Sequence, residues 1–180
     1  MKIPRPVARR RAFTVLELLV VIVIVAVLAA IINPVYQRSA KSAQAAACVS
    51  NLRQIGTALN LYLGEHDMIM PKLQALRAKA TDDVAVIDNT LDKYVPNKAV
   101  FACPGDNAGL AAASGTSYYW NSTLNEQPVS SLAFLNLTQD HSHIPILNDK
   151  QAFHPFLDDK INILYADGHV TKDLKFWSDK

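Results

Sequence analysis

An uninterrupted apolar run near the N-terminus constrains the fold more than any other feature. Every residue from Leu18 to Ile32 is apolar, and extending the run back to residue 13 adds only two polar side chains, Thr14 and Glu17. A helix over residues 13–32 is about 30 Å long, which matches the hydrocarbon core of a bilayer. A cleaved secretory signal is the alternative, although its apolar region is usually only about 7 to 15 residues long. The run therefore predicts a helix that crosses a membrane once.

The basic charge of the chain is concentrated before this run. Residues 1–12 hold five of the 18 Lys and Arg residues and no acidic residue, so the rest of the chain has 13 basic and 16 acidic residues. Cytoplasmic flanks of membrane helices are rich in Lys and Arg, which predicts a cytoplasmic N-terminus and a body on the far side of the membrane. Because that body has no basic excess, nucleic acid is an unexpected partner.

An amphipathic pattern follows the apolar run. In residues 35–64 apolar side chains recur at spacings of four and three, which is typical of one buried helix face. This stripe consists of Cys48, Leu52, Ile55, Leu59 and Leu63. Residues 13–34 and 35–64 are thus predicted to form one long helix that stops at Gly64. We expect Pro34 to kink it, because proline lacks a backbone donor.

Residues 65–180 are predicted to form a globular head whose sheet covers the amphipathic stripe. Helical segments are expected at Leu73–Ala80 and Asp88–Val95, and strands at Ser117–Trp120, Ile144–Leu147, Ile161–Ala166 and His169–Leu174. The last two strands should form a hairpin, because Asp167-Gly168 is a strong signal for a two-residue turn. The predicted fold class is α+β, with a long N-terminal helix packed on a small antiparallel sheet.

Glu17 is unusual, because a carboxylate at mid-bilayer costs about 2.5–3.5 kcal/mol on insertion scales and such residues are usually functional. The stretch Ala12-Phe13-Thr14-Val15-Leu16-Glu17 resembles the prepilin cleavage and methylation motif shared by type IV pilins and type II secretion pseudopilins. In that motif a small residue precedes Phe, and Glu follows four residues after it. Pro34 also matches the helix-bending proline of these proteins. Ala12 departs from the motif, in which Gly usually precedes the cut.

The resemblance implies a set of site residues and a pilin-like roll for the fold. A prepilin peptidase would cut between Ala12 and Phe13 and N-methylate the new Phe13 amine, which makes residues 1–12 a basic leader. Glu17 would then pair with the Phe13 ammonium of a neighbouring subunit. Residues 13–34 would be the polymerisation helix, bent at Pro34.

The resemblance also implies a function and a location. The chain would be a structural subunit rather than an enzyme, assembled without a cofactor into a type II secretion pseudopilus or a type IV pilus. It would lie in the bacterial inner membrane as a single-pass protein, with a cytoplasmic N-terminus and a periplasmic or extracellular head. Its partners would be further copies of itself, other pilins, prepilin peptidase, the inner-membrane assembly platform and membrane lipid. Two alternatives stay open: a non-polymerising single-pass membrane protein with a ligand- or metal-binding head, and a secreted enzyme.

Four segments of the helix and the head resemble pilin-like proteins that are abundant in planctomycetes and verrucomicrobia. The similar segments are Cys48–Gly56, Phe101–Pro104, Ser117–Asn121 and Asn162–Val170, in the order that this group shows. In the group, nine residues separate a His from the Asp-Gly pair, and this chain has Leu157 at that position. The nearest upstream candidate is His154, so no role of the group's His is carried over.

The chain has two cysteines, Cys48 and Cys103. Two cysteines are too few for a fold built on disulfides or for a zinc site made of thiolates alone. An extracytoplasmic head permits one disulfide between them. Two buried thiols are the alternative.

The second half of the chain contains the residues that suggest a metal site. These are His141, His143, His154, Asp158, Asp159, Asp167 and His169, which lie within 29 residues of one another. None of the pairs has the helix spacing of zinc enzymes. Asp149, Asp158 and Asp159 are candidate calcium ligands, since carboxylates suit a hard cation. Solvated loop polarity is the alternative.

The head shows no signature of an enzyme. It has neither a Gly-x-Ser-x-Gly motif nor a phosphate-binding glycine loop. The aromatic cluster Tyr118-Tyr119-Trp120 suggests either a binding platform or a strand that alternates between core and surface.

Overall fold

Helix α1 runs from Val15 to Glu65 and is the longest element of the chain. The computed structural model describes residues 15–155 and 161–172. The other helices are α2 (Ile87–Thr90) and α3 (Leu110–Ser114), and the strands are β1 (Tyr118–Trp120), β2 (Pro145–Asp149), β3 (Ile163–Tyr165) and β4 (Val170–Thr171). Turns of 3-10 helix lie at Asp92–Tyr94, Lys98–Phe101, Ser122–Leu124, Val129–Ser131 and His141–His143. The chain divides into two units, residues 1–39 and residues 40–180.

In the first unit, the described part of α1 exposes apolar side chains on every side. All residues from 15 to 39 are exposed, and the large apolar side chains between Leu18 and Ile32 are 47% to 62% accessible. A helix that is hydrophobic all round is stable only when its surroundings are apolar. By length and composition α1 can cross a membrane. Pro34 lies inside the helix.

In the second unit, residues 40–65 of α1 bury the predicted stripe. Its members Cys48, Leu52, Ile55, Leu59 and Leu63 are at most 3% exposed. They share one core with Tyr118, Trp120, Leu147 and Leu164 of the sheet. The helix approaches β3 closely, since a Cβ atom at Gly56 would lie 3.3 Å from Cδ2 of Leu164.

The sheet has the order β1-β2-β3-β4, and each neighbouring pair is antiparallel. Together with α1 this confirms the predicted α+β fold class. The expected β3–β4 hairpin is present, with residues 166–169 between its strands. Tyr165 and His169 close a loop of three residues, 166–168, rather than the predicted two-residue turn. The Gly168 amide donates to the Tyr165 carbonyl, and the Tyr165 amide donates to the His169 carbonyl. Gly168 has φ +89°, a left-handed conformation that closes three-residue hairpins.

Two local predictions were wrong. Residues 73–80 are not helical, because their backbone bonds run to other segments: the Gln74 amide donates to the Ala85 carbonyl and the Ala80 amide to the Ala113 carbonyl. α1 ends at Glu65, one residue after the predicted stop at Gly64, and the chain turns at Asp67 and Met68, which have φ 53° and 56°. The single helix predicted at 88–95 is instead two short elements, the helix α2 and the 3-10 turn at Asp92–Tyr94.

Candidate functional site

The N-terminal motif is only partly covered by the described residues. Ala12 and Phe13 lie outside them. Glu17 lies in the first turn of α1 and is exposed. It directly precedes the apolar surface formed by Leu18–Ile32. A carboxylate beside such a surface is costly in a bilayer unless it is paired or close to the interface. The arrangement therefore suits a segment that meets a cationic group inside or near the membrane.

In the head, Cys48 on α1 and Cys103 in the loop before α3 form a disulfide. The two cysteines are 0% and 3% exposed. The loop is anchored on both sides of the bridge: Nδ2 of Asn51 donates to the Ala102 carbonyl at 3.0 Å, and the Cys103 amide donates to Oγ of Ser117 at 3.0 Å. The bridge thus joins the amphipathic part of α1 to the loop that precedes the sheet.

His154 completes this buried cluster. Its Nε2 atom lies 3.4 Å from Sγ of Cys103, and the residue is 6% exposed. Burial lowers the pKa of His154, and the charge of Lys172 acts in the same direction. A side chain at Gly105 would collide with the imidazole. Glycine at 105 therefore leaves the space in which the ring reaches the sulfur. The sequence places His154 near the Asp-Gly motif, but its contact with Cys103 depends on the tertiary fold.

Asp149, one of the predicted calcium ligands, lies at the end of β2 and is 1% exposed. Its Oδ2 atom accepts hydrogen bonds from the backbone amide and Nδ2 of Asn162, at 2.9 and 2.7 Å. Burial raises the pKa of Asp149 to about 6, although the bonds from Asn162 oppose the shift. Asp158 and Asp159, the other two candidates, lie outside the described residues. The calcium site thus stays a prediction.

Tyr118 sits opposite Asp149 in the β1–β2 register. Burial raises the pKa of Tyr118, and the Asp149 charge adds to the effect. Among the residues that the structure describes, Oδ1 of Asp149 has no hydrogen-bond partner. The aromatic cluster of β1 alternates between core and surface: Tyr118 and Trp120 are buried, and Tyr119 is half-buried. Two of its three rings are therefore unavailable as a binding platform.

A second group of buried charges lies between the irregular segment at 73–80 and α2. Nη2 of Arg77 is 2.5 Å from Oδ2 of Asp88, and Nε of Arg77 donates to the Ser114 carbonyl at 3.0 Å. Lys150 approaches the same region, where its Nζ atom donates to Oγ of Ser114 and to the Thr116 carbonyl, at 2.6 and 2.7 Å. Burial raises the pKa of Asp88 and lowers that of Lys150. The sequence pattern does not predict these contacts, because the residues that form them lie far apart in the chain.

The remaining histidines of the predicted metal cluster do not meet His154. His143 contacts Asp140, with Nδ1 3.0 Å from Oδ2, and His169 contacts Asp167, with Nδ1 2.5 Å from Oδ1. Both are local contacts within hairpins or turns. The group that the fold brings together within the described residues is Cys48, Cys103 and His154, whose ligand atoms lie within 4.8 Å of one another.

Comparison with known proteins bears on the N-terminus. Residues 7–33 match the model of the prokaryotic N-terminal methylation motif. No curated protein and no solved structure matches the chain significantly. The matched segment contains Phe13, Glu17, three of the five basic residues (Arg9, Arg10 and Arg11) and the apolar run from Leu18 to Ile32. It supports a prepilin-like protein, and with the apolar helix it suggests a single-pass membrane anchor.

Proposed function

We propose that this chain is a pilin-like structural subunit that a prepilin peptidase processes and that assembles into a filament. The observation that carries the proposal is the exposed apolar half of α1, which coincides with the N-terminal methylation motif at residues 7–33. A bilayer covers such a surface before assembly, and the helices of neighbouring subunits cover it afterwards. The same helix continues into the core of the head, so it would carry the head along the filament.

Processing would begin with cleavage between Ala12 and Phe13, followed by N-methylation of Phe13. Methylation keeps the positive charge of the amine. In the filament that ammonium would pair with Glu17 of a neighbouring subunit. A carboxylate is costly to place in lipid, and a cationic group from a neighbouring subunit lowers that cost. The pairing would therefore set the axial register between subunits.

The assembly would be a type II secretion pseudopilus or a type IV pilus, and we favour the pseudopilus because the head, residues 65–180, is small. The partners would be other copies, other pilins and the inner-membrane assembly platform. The subunit itself would need no cofactor, since its work is mechanical. Loss of secreted protein from the medium, without loss of surface filaments, would identify the pseudopilus.

The direct test is mass spectrometry of the mature N-terminus, in membrane and sheared-filament fractions of the native host. We expect a chain that starts at Phe13 and carries one additional methyl group. A chain that starts near Ala30 would indicate a cleaved secretory signal. A chain that retains Met1 would indicate a non-polymerising membrane protein.

Assembly is tested separately with Glu17→Ala. The variant should be inserted and processed, yet its amount in the sheared-filament fraction should fall by more than about 10-fold, because a pairing worth over 1.4 kcal/mol is lost. Leu18→Ala is the matched control, since it shortens the adjacent side chain without removing a charge. Normal filament incorporation of Glu17→Ala would contradict the proposal and support a non-polymerising protein.

A further inference from the structure

The cluster of Cys48, Cys103 and His154 has the composition of a metal site. Two thiolates and one imidazole form a ligand set that zinc takes in proteins, with a water or another small ligand in the fourth position of the tetrahedron. All three side chains are buried, and their ligand atoms lie within 4.8 Å of one another. In the disulfide the sulfurs are bonded to each other, so the site exists only when both cysteines are reduced.

The distances fit a zinc-sized ion. With zinc–sulfur bonds of about 2.3 Å and zinc–nitrogen bonds of about 2.0–2.1 Å, tetrahedral geometry separates a ligating sulfur and nitrogen by about 3.5 Å. Sγ of Cys103 and Nε2 of His154 are 3.4 Å apart. Two ligating sulfurs lie about 3.8 Å apart in the same geometry. In the dithiol form the two sulfurs are no longer bonded to each other, and rotation of the cysteine side chains changes their separation.

Packing alone explains the position of His154 poorly. Sulfur is a weak hydrogen-bond acceptor, so the contact with Cys103 offsets little of the free energy needed to bury an imidazole. Gly105 leaves room for the ring, because a side chain at this position would collide with it. Both observations indicate that the imidazole is held at the sulfur for a reason beyond filling space.

We propose that the dithiol form of the head binds one thiophilic divalent cation of the zinc class through Cys48, Cys103 and His154. The chain is synthesised with both cysteines as thiols, so no reductant is needed to form the site. Binding releases the two thiol protons. Oxidation by a disulfide-containing oxidant later transfers two electrons to that oxidant, forms the Cys48–Cys103 bond and releases the cation. The metal and the disulfide therefore exclude each other.

The first test uses Co²⁺ as a spectroscopic substitute for zinc, with the full chain in detergent. The protein is reduced, separated from reductant under anaerobic conditions and titrated. We expect about one equivalent of Co²⁺ to produce thiolate-to-cobalt charge-transfer bands and tetrahedral ligand-field bands, and the oxidised protein to produce neither. Absence of the bands in the reduced protein, or equal bands in the oxidised protein, would overturn the proposal.

The second test assigns the ligands. His154→Ala should weaken Co²⁺ binding by more than about 100-fold, because loss of a direct ligand exceeds the 10- to 100-fold effect of outer-shell changes. Gly105→Ala should weaken it too, by displacing the ring. His141→Ala is the matched control, since it removes an imidazole outside the cluster and should leave binding unchanged. A cooperative urea-unfolding transition, followed by tryptophan fluorescence, shows that each variant folds. Unchanged cobalt affinity in His154→Ala would refute the assignment.

Discussion

The guanidinium of Arg77 and the carboxylate of Asp88 form a buried ion pair, with side chains that are only 8% and 12% exposed. Oδ1 of Asp88 has no hydrogen-bond partner among the described residues. The pair connects the irregular segment at 73–80 to α2, and Arg77 also bonds to the end of α3 through the Ser114 carbonyl. The Arg77 guanidinium therefore connects three segments, residues 73–80, α2 and α3, which belong to neither the sheet nor α1.

Replacing Arg77 by Ala should destabilise the head strongly. The change leaves the Asp88 carboxylate buried without its partner, which typically costs about 3–5 kcal/mol. Urea unfolding of the full chain in detergent, followed by tryptophan fluorescence, measures the loss. Lys72→Ala is the control, because the Lys72–Glu126 pair is 73% and 62% exposed and should contribute less than about 1 kcal/mol. Equal effects of the two substitutions would contradict the importance of burial.

Two glycines with positive φ offer a matched comparison beside this ion pair. Gly115 has φ +90°, and a Cβ atom there would collide with Nη2 of Arg77 and Oδ2 of Asp88, whereas Gly109 has φ +70° and open space around it. Gly109→Ala should cost about 1–2 kcal/mol for the left-handed backbone alone. Gly115→Ala should cost about 1–3 kcal/mol more, because of overpacking. Thermal unfolding of both variants gives the difference, and equal losses would show that the backbone conformation dominates.

Asp149 should make the stability of the head depend on pH. Its pKa is raised from 3.8 to about 6, so its stabilising contribution is complete below about pH 4 and is lost as the pH rises through about 6. Asp149→Asn still accepts hydrogen bonds from Asn162 but does not titrate. Relative to the unsubstituted protein, this variant should gain about 3 kcal/mol between about pH 4 and pH 7.

The control for this pH dependence is Asp140→Asn. Bonds from Ser142 lower the pKa of the exposed Asp140 carboxyl, so it stays charged over this range and its removal should not reproduce the gain. Urea unfolding at a series of pH values makes the comparison. A constant difference between Asp149→Asn and the unsubstituted protein would show that Asp149 titrates normally.

Removing the disulfide by Cys103→Ala should lower the free energy of unfolding by about 4 kcal/mol. The bridge closes a loop with a sequence separation of 55 residues, and the chain-entropy model gives this magnitude. Denaturant unfolding measures the change. Intact mass with and without reductant must first differ by two protons in the unsubstituted protein, and identical masses would show that the bridge is absent in solution.

Ala12→Gly should accelerate processing, since Gly is the usual residue before the cut in the prepilin motif that this chain resembles. Pulse–chase labelling in cells that express prepilin peptidase follows the conversion of the precursor to the shorter form. Ala12→Leu is the opposing variant and should slow the conversion. Equal rates for all three chains would place the cut elsewhere.

Local patterns predicted most of the fold. The stripe from Cys48 to Leu63 was predictable because a helix repeats every 3.6 residues. β3 and β4 were predictable from their apolar residues and from the turn signal at Asp167-Gly168. Residues 73–80 were mispredicted because their backbone partners come from segments beyond them, which no local propensity contains.

The contacts of the candidate site were less predictable. The Cys48–Cys103 pair was one of two open alternatives, since spacing alone does not bring sulfurs together. The pairing of Arg77 with Asp88 and the contact of His154 with Cys103 depend on where irregular loops cross. Such crossings are set by the packing of the whole head rather than by periodicity.

The position of the disulfide has a mechanical consequence. A pulling force that enters through the N-terminal part of α1 and leaves through the sheet passes from Cys48 directly to Cys103, so the chain between them carries no load. The bridge prevents the segment between the cysteines, a sequence separation of 55 residues, from extending under force. At about 3.4 Å per extended residue, this segment would otherwise add about 190 Å to the stretched chain. The junction between helix and sheet therefore yields only as far as a covalent bond allows.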